Sequence, residues 1–344
     1  MQKCRSKWTF VSCCAVSFSV LVLVLVLGLG LAFSPAAEAK MEFRLSNQFP
    51  ASHHISKGLV LFADKVKEYS NGEVECKIFD SAQLYKDTEI VEALQDNLVD
   101  TGLVATNKWS GMIPAIDIFE MPFVFKDLSS IKKFLDAGAD ALLDKELESK
   151  GVKNLFWVDY GYVQFFNDRR PLTKPDDMKG LTMRSFSGAD AETLQILGAA
   201  PTVMSSSEMY MALQRGTVDG ATTGMPAAVS RKINEVQKYM TLANYTTAQF
   251  AVQANLEWWN GLPAEEKEAI LKAGQDSEAW IRGAIADSEN EAQKVIADSG
   301  VEIYTLNEAE HKAFQEATFP VRDSFAQKTG DVGKRLLEMA QNAD

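Results

Sequence analysis

Residues 93–100 read ALQDNLVD, and a near copy of this stretch, ALQRGTVD, occurs at residues 212–219. Five of the eight positions are identical, and the two copies lie 119 residues apart. The same offset places Ser206 opposite Asp87. A period of this length is too long for a solenoid, whose repeats are 20 to 50 residues. The repeat therefore predicts two similar α/β lobes, each with a loop that enters a helix at the same place.

Strand-like and helix-like segments alternate around the first copy. The residues at 43–46, 74–79 and 103–105 have the composition of strands, and 88–98 has that of a helix. Another helix lies between the first two strands and ends at Asn71-Gly72; its apolar face carries Leu59, Phe62, Ala63, Val66 and Tyr69. Such alternation predicts a largely parallel, doubly wound sheet in each lobe.

The second copy is preceded by a helix-start signal. Residues 205–208 read SSSE, which predicts a capping box with Ser205 as N-cap and Glu208 reaching back to it. Gly216 is predicted to end this helix as a C′ residue. Open α/β sheets bind ligands beyond the carboxyl ends of their strands, where both loops would lie. We therefore expect a cleft between the two lobes.

Two further helices are predicted near the end of the chain. No proline interrupts residues 264–299, and helix formers dominate there, which predicts a long helix that braces both lobes. A shorter helix is predicted at 333–342.

The first 39 residues have the three-part pattern of a secretory signal. Basic residues in the first seven positions precede an apolar run at 15–33, and Ala37 and Ala39 form a small-x-small cleavage site. The pattern predicts cleavage after Ala39 and a periplasmic protein. One alternative is an uncleaved anchor, because the apolar run approaches the length of a spanning helix. The other is a lipoprotein site at residues 10–13, FVSC, but these residues precede the apolar run.

Charge and cysteine content narrow the function classes. The net charge of −12 makes nucleic acid a poor partner. Beyond the predicted signal one cysteine remains, Cys76, and its strand-like surroundings predict a buried small hydrophobe rather than a reactive thiol. Core packing, not an intramolecular disulfide, must therefore stabilise the exported chain.

Catalytic signatures are missing from the sequence. It has no Rossmann fingerprint, Walker loop or G-x-S-x-G motif. The adjacent pair His53-His54 has no nearby partner that would complete a metal shell. The sequence therefore predicts a protein that is not an enzyme and that holds neither metal nor cofactor.

Several short motifs resemble one family in order and spacing, the solute-binding proteins of tripartite ATP-independent periplasmic (TRAP) transporters. They are QFP at 48–50 with His53, GEV at 72–74, SAQL at 81–84, MPFVFKD at 121–127, DMKGLTMR at 177–184, EMYMALQ at 208–214 and VDG at 218–220. Together they extend over essentially the whole chain after residue 39.

The resemblance implies a periplasmic-binding-protein-like fold of two lobes, a hinge and a long helix that spans both. We assign 1–39 to the signal, 40–162 and 250–289 to lobe I, and 163–249 and 290–344 to lobe II. The implied function is capture of an organic acid for delivery to the membrane subunits of a TRAP transporter. A monomer is expected.

Arg184 is the main candidate for ligand binding. The resemblance implies that the arginine of the K-G-L-x-x-R motif forms a bidentate salt bridge with the substrate carboxylate, and Arg184 holds that position. A guanidinium fork matches a carboxylate in geometry and charge. Without the motif, Arg184 would be interpreted as a surface residue at the end of a strand.

Other positions refine the expected ligand. Gln164 aligns with a second arginine of sialic-acid-type members, Thr223 with a ligand-binding asparagine that follows V-D-G in some members, and Asp87 with an acidic position on the ligand side. The further candidates are Trp109, Phe165, Ser206, Gln48 and His53. One strong cation among aromatic rings predicts a monocarboxylate with an apolar or aromatic body. A sugar acid is the alternative ligand, because rings also stack on sugar faces.

Two other function classes stay open at this point. The same two-lobed protein could present its ligand to a membrane receptor as a sensor. An exported lyase or hydrolase that acts on a carboxylate is the third class.

Overall fold

The computed structural model describes residues 40–343, so the predicted signal and its cleavage site lie outside the described residues. Nine strands in this range form one sheet: β1 (Met41–Ser46), β2 (Val74–Phe79), β3 (Thr101–Ala105), β4 (Val152–Asn167), β5 (Thr182–Ser185), β6 (Ala200–Val203), β7 (Gly220–Gly224), β8 (Tyr239–Asn255) and β9 (Glu302–Thr305). Their order is β2-β1-β3-β8-β4-β7-β5-β6, and β9 pairs with β8.

The helices lie between these strands and beyond them. They are α1 (His54–Tyr69), α2 (Ile90–Gln95), α3 (Leu128–Phe134), α4 (Asp140–Ser149), α5 (Gly188–Ile196), α6 (Met209–Gln214), α7 (Met225–Ser230), α8 (Leu256–Gly261), α9 (Ala264–Asp298) and α10 (Glu308–Asn342). Short 3₁₀ turns cover Thr106–Trp109 and Pro114–Glu120.

The sheet consists of two parallel sets of strands joined by two long antiparallel strands. In the first half, β1 pairs in parallel with β2 and β3; in the second half, β5 pairs in parallel with β6 and β7. The long strands β4 and β8 pair antiparallel with each other and extend through both halves. The predicted α/β architecture is confirmed, although alternation of helices and strands did not predict these two antiparallel strands. The residue boundaries of the lobes stay a prediction.

The repeat seen in the sequence is present in the structure. Helices α2 and α6 begin 119 residues apart, and so do the strands β3 and β7 that follow them. Gly216 follows α6 with φ of 68°, as the predicted C′ position requires. Asn71 and Gly72 also have positive φ at the end of α1.

The predicted capping box of α6 is wrong. Helix α6 begins at Met209, and its N-cap residue, Glu208, makes no capping hydrogen bond through its side chain. The Ser205 hydroxyl instead donates to the carboxylate of Asp87 in the first half. Glu208 forms a salt bridge with Lys86, with 2.9 Å between Oε1 and Nζ. Ser205 and Glu208 therefore both contact the first half of the sheet instead of capping α6.

The long helix α9 packs across the middle of the molecule, close to the predicted range. Ser277 donates to the carbonyl oxygen of Gly58 in α1 at 2.7 Å. Further along, the Glu289 carboxylate accepts a hydrogen bond of 2.9 Å from the backbone N–H of Tyr162. Tyr162 follows Gly161, where the pairing of β4 with β8 changes register. The helix thus holds β4 where it passes from one half to the other.

The last helix is longer than predicted. Helix α10 begins at Glu308 with a capping box from Asn307 and Glu310, contains Pro320, and is broken at Gly330 by a non-helical backbone conformation. The sequence predicted only its final section, 333–342.

The surroundings of Cys76 and the hydropathy of the helices bear on the predicted class of protein. Burial raises the pKa of the Cys76 thiol, which is 8% exposed, so the thiol behaves as a small hydrophobe. Between residues 40 and 343, no helix is both long and apolar enough to span a bilayer.

Candidate ligand-binding site

A cavity lies where the two halves of the sheet meet. Its wall includes Gln48, Phe49, Asp87, Asn107 and Lys108 from the first half, Arg184, Phe186, Ser206, Thr223 and Arg231 from the second half, and Tyr160 and Phe250 from the long strands. Of the nine ligand residues predicted from the sequence, Arg184, Thr223, Asp87, Ser206 and Gln48 line this cavity.

Arg184 is buried at the cavity wall and is held by neutral oxygen atoms. It is 1% exposed on β5. Its Nη1 donates to the Thr222 carbonyl at 3.0 Å, and its Nη2 donates to the Ser206 hydroxyl at 2.9 Å. Both Nε and Nη2 donate to the Met204 carbonyl, at 3.3 and 3.2 Å. Burial lowers the pKa of Arg184, whereas the charges of Asp87 and Asp190 oppose that shift. The side chain is thus a fixed, desolvated guanidinium whose hydrogen-bonded neighbours carry no full charge.

Asp87 brings one negative charge to the same wall. It accepts from Ser205, and its Oδ2 lies 3.4 Å from Nζ of Lys108. Burial alone would raise the pKa of Asp87, but Lys108, the Ser205 hydrogen bond and Arg184 together hold that pKa below its ordinary value. Asp87 therefore remains ionised at neutral pH and links the first half to the second.

Arg231 is a second guanidinium in the cavity, and sequence reasoning missed it. It follows α7, its Nη2 donates to the backbone and side-chain oxygens of Gln48 at 3.2 and 3.4 Å, and it lies 4.6 Å above the ring of Phe49. Burial lowers the pKa of Arg231 to about 10. Among residues 40–343, no carboxylate lies within salt-bridge distance of it. No family motif or periodic pattern marks Arg231, so only the fold reveals it.

Lys108 adds a third cation, from the turn after β3. Its Nζ donates to the Phe186 carbonyl of the second half at 3.1 Å, and its side chain is 13% exposed. With Arg184 and Arg231 it outnumbers the single acid, Asp87, in the cavity wall. The prediction of one strong cation in the site is therefore wrong.

Aromatic side chains form the apolar part of the wall. The Tyr160 hydroxyl lies 3.0 Å from the Thr223 hydroxyl and accepts from the Gly224 N–H at 2.8 Å. Phe49 stacks on Tyr160 with 5.8 Å between ring centroids and contacts Phe250 at 5.3 Å. Thr223 is thus held by Tyr160 at the place where the resemblance predicted a ligand residue.

The other four predicted residues lie outside this wall: Gln164, Trp109, Phe165 and His53. Hydrogen bonds and core packing hold Gln164 and Trp109 elsewhere. Gln164 is fully buried in β4, where its Oε1 accepts from the N–H groups of Ala243 and Asn244. Trp109 is buried in the core, and its indole N–H donates to Gln253 at 2.9 Å.

Phe165 and His53 pack behind the cavity. Phe165 stacks on Tyr245 at 4.3 Å between ring centroids. The His53 ring stacks on the Phe49 ring at 4.1 Å between centroids, and His53 lines a separate cavity together with His54 and Lys57. His53 accepts the N–H of Ile55 through Nδ1, and burial holds its pKa well below the ordinary value.

Comparisons with known proteins identify the family of the chain. Residues 45–329 match the family model DctP, described as bacterial extracellular solute-binding protein, family 7. A C4-dicarboxylate-binding periplasmic protein of Rhodobacter capsulatus is 33% identical over 299 residues, which cover 86% of this chain and 90% of the relative.

Solved structures show the same fold. A TRAP periplasmic solute-binding protein from Sulfurospirillum deleyianum with bound succinate has a TM-score of 0.84 at 27% identity, covering 89% of this chain and 100% of that one. A sugar-acid-binding protein from Advenella mimigardefordensis in complex with galactonate has a TM-score of 0.85 at 26% identity, covering 88% and 98%. The chain therefore belongs to the DctP family of extracellular solute-binding proteins, the TRAP-transporter binding proteins that its motifs resemble.

Proposed function

We propose that this protein captures an organic acid in the cavity between the two halves of the sheet and delivers it to the membrane subunits of a TRAP transporter. The single observation that carries this proposal is the buried guanidinium of Arg184, which lies in the cavity wall between two halves of the sheet. A carboxylate is the ligand group that a buried guanidinium binds best, because two parallel hydrogen bonds accompany the charge attraction. Transport is supported by the family to which the chain belongs.

The ligand class follows from the charges of the wall. Arg184, Arg231 and Lys108 face one acid, Asp87, so a ligand with a single carboxylate and no other acceptor would leave the second guanidinium without a partner. We therefore propose a dicarboxylate, or a sugar acid whose hydroxyl and carbonyl groups accept from the second guanidinium. The names of the C4-dicarboxylate-binding relative and of the succinate and galactonate complexes support these two classes. This replaces the monocarboxylate that the sequence predicted on the premise of one cation.

The place of action is part of the proposal. The pattern in residues 1–39 and the periplasmic relatives support export with cleavage after Ala39. We also propose that the protein acts as a monomer.

Mass spectrometry of small molecules released from the purified protein tests the function. Calorimetric titrations then measure the binding of succinate and galactonate. Butyrate serves as the reference for a monocarboxylate with an apolar body. We expect a released organic acid and micromolar or tighter binding of succinate or galactonate. Binding of none of these acids, together with no acid released, would contradict the proposed function. Tightest binding of butyrate would restore the monocarboxylate prediction.

A further inference from the structure

Asn107 presents one unpaired acceptor at the wall of the cavity. The residue is 8% exposed and lines the cavity beside Lys108. Its Nδ2 donates to Oε1 of Glu120, and its Oδ1 is buried without a hydrogen-bond partner among residues 40–343. A buried amide oxygen without a partner is costly, so such an atom calls for an explanation.

Glu120 fixes the orientation of this amide. It is 1% exposed, and its second oxygen, Oε2, contacts the Ser187 hydroxyl of the second half. Burial raises the pKa of Glu120 well above its ordinary value, and the neighbouring charges of Asp117 and Asp190 add to this effect. A hydroxyl can donate or accept, so Ser187 accommodates either protonation state at Oε2. With Glu120 ionised, or with its proton on Oε2, Oε1 accepts from Asn107, and Oδ1 of Asn107 is the atom without a partner.

Gln48 presents the complementary group at the same wall. Its Oε1 accepts from Arg231, and its Nε2 is buried without a partner within the described range. The wall thus offers a neutral donor and a neutral acceptor besides its cations. Ionised carboxylates carry no hydrogen to donate, so they cannot satisfy Oδ1 of Asn107. A hydroxyl group can, because it is both a donor and an acceptor.

We propose that Asn107 determines specificity by accepting a hydrogen bond from a ligand hydroxyl, so that the cavity selects hydroxylated organic acids over acids of the same length without hydroxyls. This inference rests on the proposed function, because it assumes an organic acid in the cavity. Glu120 is the positioning residue: it acts on the ligand only through the orientation of Asn107.

The test uses the processed chain and two matched pairs of acids in calorimetric titrations. Malate and succinate differ by one hydroxyl; galactonate and hexanoate have six carbons with and without hydroxyls. In the wild type we expect the hydroxy acid to bind at least about tenfold more tightly than its partner, the size of one well-formed hydrogen bond. In Asn107→Leu we expect that ratio to fall below about threefold.

Glu120→Gln tests the positioning role, because a glutamine amide can donate to Asn107 and thereby reverse its orientation. We expect the ratio of affinities to fall in this variant too. Asp144→Asn is the matched control: Asp144 is another acid that accepts from a neighbouring asparagine, Asn154, at 2.8 Å, but it lies outside the cavity wall. The ratio of affinities for the two acids of each pair should be the same in Asp144→Asn as in the wild type.

The outcomes separate the inference from the function on which it rests. Equal affinity of the wild type for both members of each pair overturns the role of the hydroxyl and leaves organic-acid capture intact. An Asn107→Leu variant that weakens both members alike, with the ratio kept, shows a structural role only and overturns the inference. Binding of none of the four acids contradicts the proposed function and this inference with it.

Discussion

Asp87 and Ser206 occupy equivalent places just before the two copies of the repeated segment, and in the folded protein they touch each other. The backbone N–H and the hydroxyl of Ser206 both lie 3.4 Å from Oδ2 of Asp87. Arg184 joins this contact, because its Nη2 donates to the Ser206 hydroxyl at 2.9 Å. A loop of the first half is thereby connected through a loop of the second half to the buried guanidinium. Such contacts can form only while the two halves lie close together.

We expect a ligand-dependent change in the separation of the two halves. A ligand that touches both sides of the cavity favours the arrangement in which Asp87 reaches Ser206, whereas empty protein is free to open at the hinge. Small-angle scattering should give a smaller radius of gyration with saturating ligand than without it. An identical radius in both conditions would argue for a rigid site.

Replacement of Arg184 by lysine should weaken ligand binding at least about tenfold and leave the fold unchanged. Lysine keeps the charge but loses the planar set of N–H donors that fixes Arg184 at the wall and faces the ligand, a loss on the order of 1.5–3 kcal/mol. Arg169→Lys is the control, because Arg169 is 56% exposed and pairs with Asp219 at the surface. Calorimetry should show a normal affinity in the control; the same normal affinity in Arg184→Lys would refute the assignment of Arg184.

Replacement of Arg231 by glutamine should change selectivity more than stability. The variant loses the second guanidinium, so we expect succinate to bind at least about tenfold more weakly, ~1.4 kcal/mol, with a smaller effect on butyrate. Competition titrations with the two acids measure this difference. If both acids weaken by the same factor, Arg231 does not contact a second anionic group.

Gly161→Ala should destabilise the protein at the hinge. Gly161 has φ of 108°, and a Cβ atom there would lie 2.6 Å from Oε1 of Glu289. We expect a loss of at least about 1–2 kcal/mol in the free energy of unfolding, measured with urea. Gly283→Ala is the matched control at an exposed position of α9, where a Cβ atom meets nothing within 4 Å. The free energy of unfolding of Gly283→Ala should rise by up to about 1 kcal/mol, because alanine has a better helix propensity than glycine.

Asp144→Asn should stabilise the protein at neutral pH and have no effect in acid. Burial raises the pKa of Asp144 from 3.8 to about 6. The folded state therefore holds this proton more tightly than the unfolded chain, and stability is lost as pH rises from about 4 through 6. Asparagine removes that loss and can still accept from Asn154. Urea unfolding at pH 7.5 and pH 3.5 should show the gain only at pH 7.5; an equal gain at both values would show that ionisation is not its cause.

The repeated segment predicted part of the fold because helix formation depends on residues that are close in sequence. Identical residues at 93–95 and 212–214 carry the same helical preference, so α2 and α6 form at equivalent places. Helix α9 was likewise predictable from its uninterrupted run of helix formers. The antiparallel pairing of β4 and β8 was not predictable, because it depends on contacts between residues about 80 positions apart, such as Gln164 and Asn244.

Residues of the cavity wall were predictable only where a sequence motif or the repeat identified them. Arg184 and Thr223 were found through sequence motifs, and both line the cavity. Trp109 and Phe165 were chosen for their ring chemistry alone, but their side chains point into the core, which strand alternation could not decide without the register. Arg231 and Asn107 reach the cavity only through tertiary packing, so no local pattern distinguishes them from ordinary polar residues.

The two long strands have a consequence for the order in which the chain can fold. β3 lies between β1 and β8, and β8 begins at Tyr239, so the first half lacks a neighbouring strand until most of the chain has been synthesised. Closing such distant pairings is slow, because a large loop must be ordered first. The first half is therefore expected to complete its sheet later than a domain formed from one continuous segment would. Both halves of the sheet therefore depend for completion on residues 239–255, which pair with β3 in the first half and with β4 along its length.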